Sequence, residues 1–354
     1  MQAGRPTIIL DVDGGELGCA EMLQGALLGS QANGSTGLDI VLATSEPQQA
    51  GELVAELFGN PQGSGQCRVS VAAARDRLPA RIDSPVEAFR AFPGSSIRVA
   101  MDCARDTPHS VVISPGSTGL VMTTAMFTLG RVKGIDRVPI GTPMPSRGHE
   151  LFFVDGGSNV DCKPAHLHQF ALLAHLYMQI ARGLPRPRVA LLSNGSESYK
   201  GNALIREAYQ LLEQDPDLNF VGYTEGHTML SGEIDVMVCD GMIGNILLKG
   251  AEGIAEFMIE SIKQEIKRDP LAALAAKLLM GRAFKRFARR LDYTQFGGAP
   301  LLGLKGNVVI CHGRSPAVAI KNAITVGARL ARSEMVQRVE EFVVARNLAR
   351  PNGQ

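Results

Sequence analysis

Five short hydrophobic runs without a charge end in turns of small polar residues, and a segment with helical signals follows each turn. The runs span 111–113, 151–154, 189–192, 236–239 and 308–311, and their turns span 114–119, 155–159, 193–197, 240–245 and 312–315. This alternation predicts βαβ units, whose parallel strands bring their carboxyl ends to one edge of a sheet. Glycine lets backbone N–H groups approach a ligand there, and the helix start behind the turn favours an anion. The pattern therefore predicts an α/β fold that binds a small anion such as phosphate.

Further segments extend the alternation along the chain. We predict strands over 8–12, 40–42 and 69–71, and helices over 47–58, from 85 onward, over 164–182, 199–213 and 244–267, and within 316–346. The helix over 244–267 carries an i, i+4 apolar stripe at Ile254, Met258, Ile262 and Ile266. With 354 residues, 45% of them hydrophobic, the chain can bury a large core. We predict a three-layer α/β/α fold with a mostly parallel sheet. Residues 1–354 would form one catalytic domain, which could consist of two subdomains around a cleft.

Composition excludes several classes of partner and location. The formal net charge is +1, Trp is absent and aromatic residues are 5%, so the chain offers no basic field or stacking platform for nucleic acid. Six cysteines without a Cys-x-x-Cys pair predict neither a zinc ribbon nor a disulfide framework, and they fit a reducing cytoplasm. No signal-peptide pattern opens the sequence. The uncharged stretch over 110–130 contains Pro115 and a Gly-rich turn, which favours strand, turn and helix over a membrane span.

Motifs of several common enzyme classes are missing from the sequence. It contains no P-loop, no dinucleotide-binding glycine fingerprint, no nucleophile elbow and no His-Glu-x-x-His motif. His166 and His168 are two residues apart, so on a helix they point to different faces and do not predict a metal site. We therefore expect neither a metal nor a cofactor.

Two of the turns carry groups that suit an anion. Gly116, Ser117 and Thr118 offer N–H groups and two hydroxyls before a helix, although the same residues could form an ordinary tight turn. Lys200 follows the glycine turn that contains Ser196, and an ammonium there can neutralise phosphate as a point charge. The alternative for Lys200 is a solvated lysine at the start of a helix.

The other turns carry candidates with weaker signals. Asp155 ends one strand, and Asn159 precedes a Pro-started helix that it could simply cap. Asp240 and Asn245 flank two glycines, and Asn245 could cap a helix or hold an oxyanion or acyl carbonyl. His312 follows the last strand and could donate to phosphate. Their shared position after strands, rather than any one residue, supports a common site.

A basic segment over 270–291 differs from the rest of the chain, within a predicted helical excursion over 251–296. It contains six Lys or Arg residues and no acid, and its apolar residues include Leu271, Leu274, Leu278 and Leu279. A basic helix with an apolar face can lie on an anionic membrane surface. The alternative is a solvated helix that packs on a core or a dimer interface.

The order and spacing of these motifs resemble the bacterial phosphate acyltransferases of phospholipid synthesis. The matching pieces include 116–119, 134–137, 159–164, 195–197, 200–202, 238–241, 244–245, 297–304 and 312–313. The resemblance implies a fold similar to phosphotransacetylase and isopropylmalate dehydrogenase. It also implies that a fatty acyl group passes from acyl carrier protein to inorganic phosphate, giving acyl phosphate and free carrier protein. The family is homodimeric and peripherally bound to the inner face of the membrane, and a glycerol-3-phosphate acyltransferase acts downstream.

The resemblance also implies roles for particular residues. Lys200 and Asn245 become the candidates for essential catalytic residues, with Asn245 near the acyl carbonyl. Ser117, Thr118, Lys200 and nearby amides would bind phosphate. Because phosphate arrives as an anionic nucleophile, no Ser or Cys nucleophile is required. The candidates for orienting roles are Asp155, Asn159, Asp240 and His312.

Other functions also fit the sequence. The same fold could serve a phosphotransacetylase-like enzyme that uses coenzyme A, or a nicotinamide-linked hydroxyacid dehydrogenase. A dehydrogenase would be expected to carry a metal-binding carboxylate cluster, which does not stand out as a motif. A third alternative is an inactive scaffold that recruits lipid enzymes to the membrane through 270–291. Phosphate-dependent turnover separates the enzymes from the scaffold.

Overall fold

Two mostly parallel β-sheets organise the chain in the computed structural model, which describes residues 5–33, 37–59, 67–197, 199–268 and 296–346. The strands are β1 (Thr7–Asp11), β2 (Leu38–Thr44), β3 (Cys67–Ala73), β4 (Ser110–Ser114), β5 (Gly141–Pro145), β6 (Glu150–Val154), β7 (Arg188–Leu192), β8 (Asn219–Thr224), β9 (Val236–Val238), β10 (Ala299–Leu301) and β11 (Asn307–Ile310). The helices are α1 (Gly18–Ala32), α2 (Pro47–Phe58), α3 (Pro85–Ala91), α4 (Ser96–Asp106), α5 (Thr118–Thr128), α6 (Pro164–Arg182), α7 (Ala203–Glu213), α8 (Gly241–Arg268), α9 (Ala317–Arg332) and α10 (Met335–Ala345).

Each sheet is parallel except at one antiparallel edge strand. The first sheet has the order β10-β11-β4-β1-β2-β3, in which β10 and β11 are antiparallel. The second has the order β5-β6-β9-β7-β8, in which β5 and β6 are antiparallel. An antiparallel bridge between Ile140 and Leu301 joins these two edges. The sheets are therefore connected where β10 meets the start of β5.

Alternate residues of the central strands pack against helices on opposite faces of the sheet. Ile8 of β1 belongs to the same hydrophobic cluster as Leu23 of α1 and Ile320 of α9. Ile9, the next residue, belongs to a second cluster with Ile97 of α4. All five residues of β1 are buried, as expected for a parallel strand that is covered on both sides. The predicted three-layer α/β/α fold class is confirmed.

The five apolar runs form strands as predicted, but their turns do not share one sheet edge. The runs correspond to β4 and β11 in the first sheet and to β6, β7 and β9 in the second. The division into two sheets was not predicted, because β5 contains Pro143 and Pro145 and proline is unfavourable within a strand. The prolines are tolerated because β5 is an edge strand of its sheet.

The predicted helices are all present, and the differences from the predicted bounds lie at capping residues. The helices over 47–58 and 164–182 have the predicted bounds. α7 begins at Ala203 rather than at 199, because the side chain of Asn202 accepts the N–H of Ile205 at 3.0 Å. α8 begins at Gly241 rather than at 244, because Oδ1 of Asp240 accepts the N–H of Ile243 at 3.0 Å.

The apolar stripe predicted on the 244–267 helix points away from the packed core. Ile254 is 62% exposed and Met258 is 49% exposed. The face of α8 that packs on the second sheet instead carries Leu247, Leu248 and Ala251. Helix α8 therefore has two apolar faces, one of which no other described part of the chain covers.

No helix in the described ranges is long and apolar enough to cross a membrane. The basic segment over 270–291 lies outside the described residues, as do its predicted membrane contacts Leu271, Leu274, Leu278 and Leu279. Of the predicted helical excursion over 251–296, the structure describes α8 as far as Arg268.

Candidate active site

A large cleft lies between the two sheets, with a cavity volume of about 1460 Å³. Its polar end is lined by residues of four turns and the first turns of α8, namely Asp13, Gly14, Gly15, Glu16, Gly116, Ser117, Thr118, Gly156, Gly157, Asn245, His312 and Gly313. The fold thus gathers turns from both sheets, although they are far apart in the sequence.

A buried hydrogen-bond relay shapes the turn between β4 and α5. The N–H of Gly116 donates to Oγ of Ser114 at 3.1 Å, and this hydroxyl donates to the carboxylate of Asp11 at 2.6 Å. Oγ of Ser96 donates to the other carboxylate oxygen of Asp11, also at 2.6 Å. Burial raises the pKa of Asp11 to about 6, although the two hydroxyls oppose this shift. Asp11 thereby fixes the start of the turn, and both of its carboxylate oxygens are engaged by serine hydroxyls.

The tight approach of two backbone segments explains one glycine of this site. A Cβ atom on Gly14 would lie 2.6 Å from Oδ2 of Asp11 and 2.9 Å from the nitrogen of Gly116. A larger residue would therefore separate the 12–15 turn from the 114–118 turn. Nearby, Asp13 accepts the hydroxyl of Thr44 and the N–H of Ser45, both at 2.7 Å, so its carboxylate is already engaged.

The N-terminus of α5 is open toward the cleft. Ser117 is the N-cap residue, but its side chain makes no capping bond, and the first turn contains no acid. The first intrahelical bond runs from the N–H of Val121 to the carbonyl of Ser117, so the preceding N–H groups have no partner within the helix. The side chains of Ser117 and Thr118 are exposed in the cleft. This helix start has the groups and the dipole direction that bind an anion.

Two neighbouring helices have carboxylates at their N-termini instead. Asp240 caps α8 through the N–H of Ile243. The N–H of Ala317, the first residue of α9, donates to Oε1 of Glu21 at 2.6 Å. A phosphate at either helix would meet a negative charge, so the electrostatics favour the start of α5.

Asp155 organises the turn after β6 rather than lining the cleft. Its carboxylate is buried and accepts the N–H groups of Ile140, Gly157, Ser158 and Asn159 at 2.7–3.2 Å. It also accepts the Ser158 hydroxyl and the Asn159 amide, both at 2.8 Å. These bonds use the acceptor capacity of Asp155 inside the protein.

Asn245 reaches the cleft from the first turns of α8. Its side chain is exposed there and makes no hydrogen bond with the described residues. Gly157, with a φ of +131°, packs against it, since a Cβ on Gly157 would lie 3.1 Å from Cβ of Asn245. The turn that Asp155 holds therefore supports a free amide group at the cleft.

His312 lines the same polar end from the turn after β11. Its Nδ1 accepts the N–H of Arg314 at 3.2 Å. The carbonyl of the next residue, Gly313, accepts the N–H of Glu16 at 2.8 Å, which joins the turns after β11 and β1.

The turn after β7 lies apart from this cleft. Neither Ser196 nor Lys200 is among the cleft-lining residues of the described chain. The Lys200 side chain packs over Gly195, and its Nζ lies 5.6 Å from the ring centroid of Tyr199. The carbonyl of Lys200 accepts the hydroxyl of Tyr223 at 3.4 Å.

The structure thus brings together one half of the predicted site residues. Gly116, Ser117, Thr118, Asn245 and His312 line one cleft. Five others do not line it: Asp155, Asn159, Ser196, Lys200 and Asp240. Asn159 is buried, and its amide donates to the carbonyl of Val138 at 3.0 Å.

Asp11 and the apolar walls of the cleft were not predicted from the sequence. The signal for Asp11 was its position at the end of the first strand, in line with the other strand-end turns. Cys311 also lines the cleft, but burial raises the pKa of its thiol to about 12. A thiol of this kind is not a nucleophile at neutral pH.

Two histidines considered as metal ligands have structural partners. Nδ1 of His166 accepts the N–H of Lys163 at the start of α6, and Nε2 of His168 lies 2.6 Å from Asp215. The described residues contain no cluster of His, Cys, Asp and Glu that could hold a metal ion.

Sequence comparisons connect the chain with one group of proteins. A sequence model of the fatty acid synthesis protein family matches residues 7–338. The phosphate acyltransferase of Pelotomaculum thermopropionicum is 40% identical over 336 residues, which cover 95% of this chain and 94% of the relative. The phosphate acyltransferase of Syntrophotalea carbinolica is 45% identical over 263 residues, 74% of each chain.

Comparison with solved structures supports the fold. A phosphotransacetylase from Streptococcus pyogenes aligns with a TM-score of 0.56 at 17% identity and covers 92% of this chain and 94% of its own. A branched-chain phosphotransacylase from Enterococcus faecalis aligns with a TM-score of 0.54 at 13% identity and covers 92% and 99%. The predicted likeness to the phosphotransacetylase fold is confirmed.

Proposed function

The chain belongs to the phosphate acyltransferase family of fatty acid synthesis proteins, which are enzymes, and we propose that it transfers a fatty acyl group from acyl carrier protein to inorganic phosphate. One observation carries the proposal. The open start of α5, with Ser117 and Thr118, lies in the same cleft as the free amide of Asn245 and a long apolar wall. An anion and a hydrocarbon chain can therefore occupy one continuous cavity.

The proposed reaction needs no nucleophile from the protein. An oxygen of hydrogen phosphate attacks the thioester carbonyl, so that a C–O bond forms and the C–S bond breaks. The thiolate leaves, and the proton of hydrogen phosphate ends on it, which gives acyl phosphate and the free thiol of the carrier protein. The protein contributes by holding the two reactants together and by stabilising the oxyanion that develops at the carbonyl.

Particular residues supply these contributions in the proposal. The N–H groups at the start of α5 and the hydroxyls of Ser117 and Thr118 hold phosphate, and His312 donates to it through Nε2. Nδ2 of Asn245 donates to the carbonyl oxygen, where loss of a single donor typically costs about 100-fold or more in rate. Lys200 remains a proposed phosphate ligand, although it does not line the cleft of its own chain.

Assembly and location form a second part of the proposal. The exposed face of α8, with Ile254 62% exposed, supports a homodimer in which a second copy covers it. The basic segment over 270–291 would contact anionic lipid at the inner face of the cell membrane. The acyl phosphate would then pass to a glycerol-3-phosphate acyltransferase, a step toward phosphatidic acid. The chain would act as one catalytic domain, with two subdomains around the cleft.

The test is incubation of the purified protein with a long-chain acyl carrier protein and phosphate. We expect acyl phosphate and free carrier thiol to form in equal amounts, and only when phosphate is present. An acyl coenzyme A donor is compared at the same concentration, and we expect it to react more slowly. Faster reaction with acyl coenzyme A would favour a phosphotransacetylase-like enzyme, and no turnover with either donor would contradict the proposal.

A further inference from the structure

The cleft continues beyond its polar end as an apolar trough that phosphate binding does not explain. Its volume of about 1460 Å³ exceeds the 300–1,000 Å³ that is typical of pockets for drug-sized ligands. One wall contains Ile82 and Ile97 from the first sheet's side, and another contains Pro143 and Met144 of β5. Ile82 and Ile97 belong to one hydrophobic cluster and Met144 to another, so the trough runs between two cores.

Helix α8 forms the long side of this trough. Leu248, Ala251, Ala255 and Ile259 line it, at spacings of three, four and four residues that place them on one face of the helix. These side chains are half-buried, whereas Ile254 on the outer face is exposed. Asn245 lies at the polar end of the same face, so the carbonyl site and the trough form one line along the helix.

Four charged residues of α8 line the cleft, and the two lysines and two glutamates balance: Lys249, Glu252, Glu256 and Lys263. None of the four is buried, so the trough does not demand an ionic ligand. Nζ of Lys249 and Oε2 of Glu252 lie 2.7 Å apart and neutralise each other on the flank of the helix. The central apolar residues are Ala251 and Ala255, whose small side chains leave the trough open. An occupant that matches this shape is long, narrow and uncharged.

We propose that this trough binds the hydrocarbon tail of the acyl donor, with its carbonyl at Asn245 and its methyl end toward Ile259. The proposal rests on the proposed function and adds the binding site and the residues that set chain length. Ala251 and Ala255 follow Asn245 by six and ten residues, which corresponds to about 9 Å and about 15 Å along the helix. Since an extended chain advances by about 1.2 Å per bond, these positions lie near the seventh and the twelfth carbon of the acyl chain.

The test compares Ala251→Phe and Ala255→Phe with donors of 4, 8, 12 and 16 carbons. Each methylene kept out of the trough forfeits about 0.8 kcal/mol, or a factor of about four. For Ala255→Phe we therefore expect kcat/KM to fall about 50-fold or more with the 16-carbon donor and less than about threefold with the 8-carbon donor. For Ala251→Phe we expect the loss in kcat/KM to begin between the 8-carbon and the 12-carbon donor. Ala55→Phe, at an exposed alanine of α2 that does not line the cleft, is the matched control and should leave the chain-length profile unchanged.

A second readout separates this proposal from the proposed function. A fluorescent long-chain fatty acid is titrated into wild type and each variant without phosphate or carrier protein, and we expect both Ala→Phe variants to weaken binding about tenfold or more. Equal fatty-acid affinity of all four proteins, or an equal loss of kcat/KM for every donor length, would contradict the assignment of the trough to the acyl tail. If wild type shows no turnover but the variants still weaken fatty-acid binding, the reaction assignment fails while the trough stands. If a Phe variant does not fold, Ala255→Leu is used and the same order of donors is expected.

Discussion

The hydroxyl of Ser114 lies 2.6 Å from the carboxylate of Asp11 and connects it to the backbone N–H of Gly116. This hydroxyl donates to the buried acid and accepts from the turn that precedes α5. Because Ser117 and Thr118 follow directly, the relay sets the position of the groups that we propose to hold phosphate. Asp11 thus positions the anion site through Ser114, although its own carboxylate does not contact the substrate in our proposal.

Ser114→Ala should weaken phosphate binding without removing catalysis. The change leaves the N–H of Gly116 without its partner, at a cost of about 1–3 kcal/mol. We expect the KM for phosphate to rise about tenfold, with kcat at saturating phosphate within a factor of about three of wild type. Steady-state kinetics with varied phosphate measures both. Ser110→Ala is a matched control, since Ser110 lies at the far end of β4 and bonds the carbonyls of Ala104 and Thr107. An unchanged phosphate KM in Ser114→Ala would contradict the relay.

Asp11 predicts a pH dependence of stability. Burial raises its pKa from 3.8 to about 6 in the folded state, so the native protein holds this proton more tightly than the unfolded chain. The stability contributed by protonated Asp11 is present below about pH 4 and is lost as the pH rises through about 6. Between pH 4 and 7 the loss is about 2 kcal/mol.

Asp11→Asn removes this titration. We expect the free energy of unfolding of wild type, relative to Asp11→Asn, to fall by about 2 kcal/mol between pH 4 and 7. Urea unfolding of both proteins at several pH values measures the difference, in which other titrating groups cancel. A difference that does not change with pH would mean that Asp11 has an ordinary pKa.

Gly157→Ala should impair catalysis through Asn245. The φ of +131° is unfavourable for alanine, and the new Cβ would lie 3.1 Å from Cβ of Asn245. We expect kcat to fall about 10-fold to 100-fold, because the amide moves from the position where the oxyanion develops. Gly148→Ala is the control for backbone strain alone, since its φ is +83° and no atom lies within 4 Å of the added Cβ. Equal effects of the two substitutions would assign the loss to strain.

Lys200→Ala tests the half of the predicted site that the cleft does not contain. If Lys200 binds phosphate, its loss should lower kcat/KM for phosphate at least about 30-fold, as expected for removal of a charged ligand with a contribution of about 2 kcal/mol. Lys305→Ala provides a control at an exposed lysine. Activity that matches the control would remove Lys200 from the site.

If Lys200→Ala is inactive, Lys200 acts either in the cleft of its own chain or in the cleft of a partner chain. In a dimer, its turn could reach the cleft of the second copy. Inactive Lys200→Ala and Asn245→Ala proteins, unfolded together and refolded, would then form mixed dimers with one intact site, and about a quarter of the wild-type activity should return. No recovery would indicate that both residues act in the cleft of their own chain.

Local sequence patterns predicted much of the fold because they depend on neighbouring residues. Pro47 and Pro164 mark helix starts that the structure confirms. The Gly116-Ser117-Thr118 turn and Asn245 were recognised because they follow strands, and they do line one cleft. Such signals need no knowledge of tertiary contacts.

The remaining features depend on contacts across the sequence. Asp11 bonds serines that are 85 and 103 residues away, so no local pattern could reveal its relay. The second sheet begins with a Pro-containing edge strand, which a propensity argument rejects. The outer stripe of α8 predicted a helix correctly but could not tell which of its two apolar faces packs inward.

The most direct test of this active-site assignment separates phosphate binding from catalysis in one cleft. We compare Ser117→Ala with Thr118→Val as a double variant against Asn245→Ala, using long-chain acyl carrier protein and a full range of phosphate concentrations. We predict that the double variant raises the phosphate KM about tenfold or more, whereas Asn245→Ala lowers kcat about 100-fold at a nearly unchanged phosphate KM. Wild-type phosphate kinetics in both proteins would contradict the assignment of the active site to this cleft.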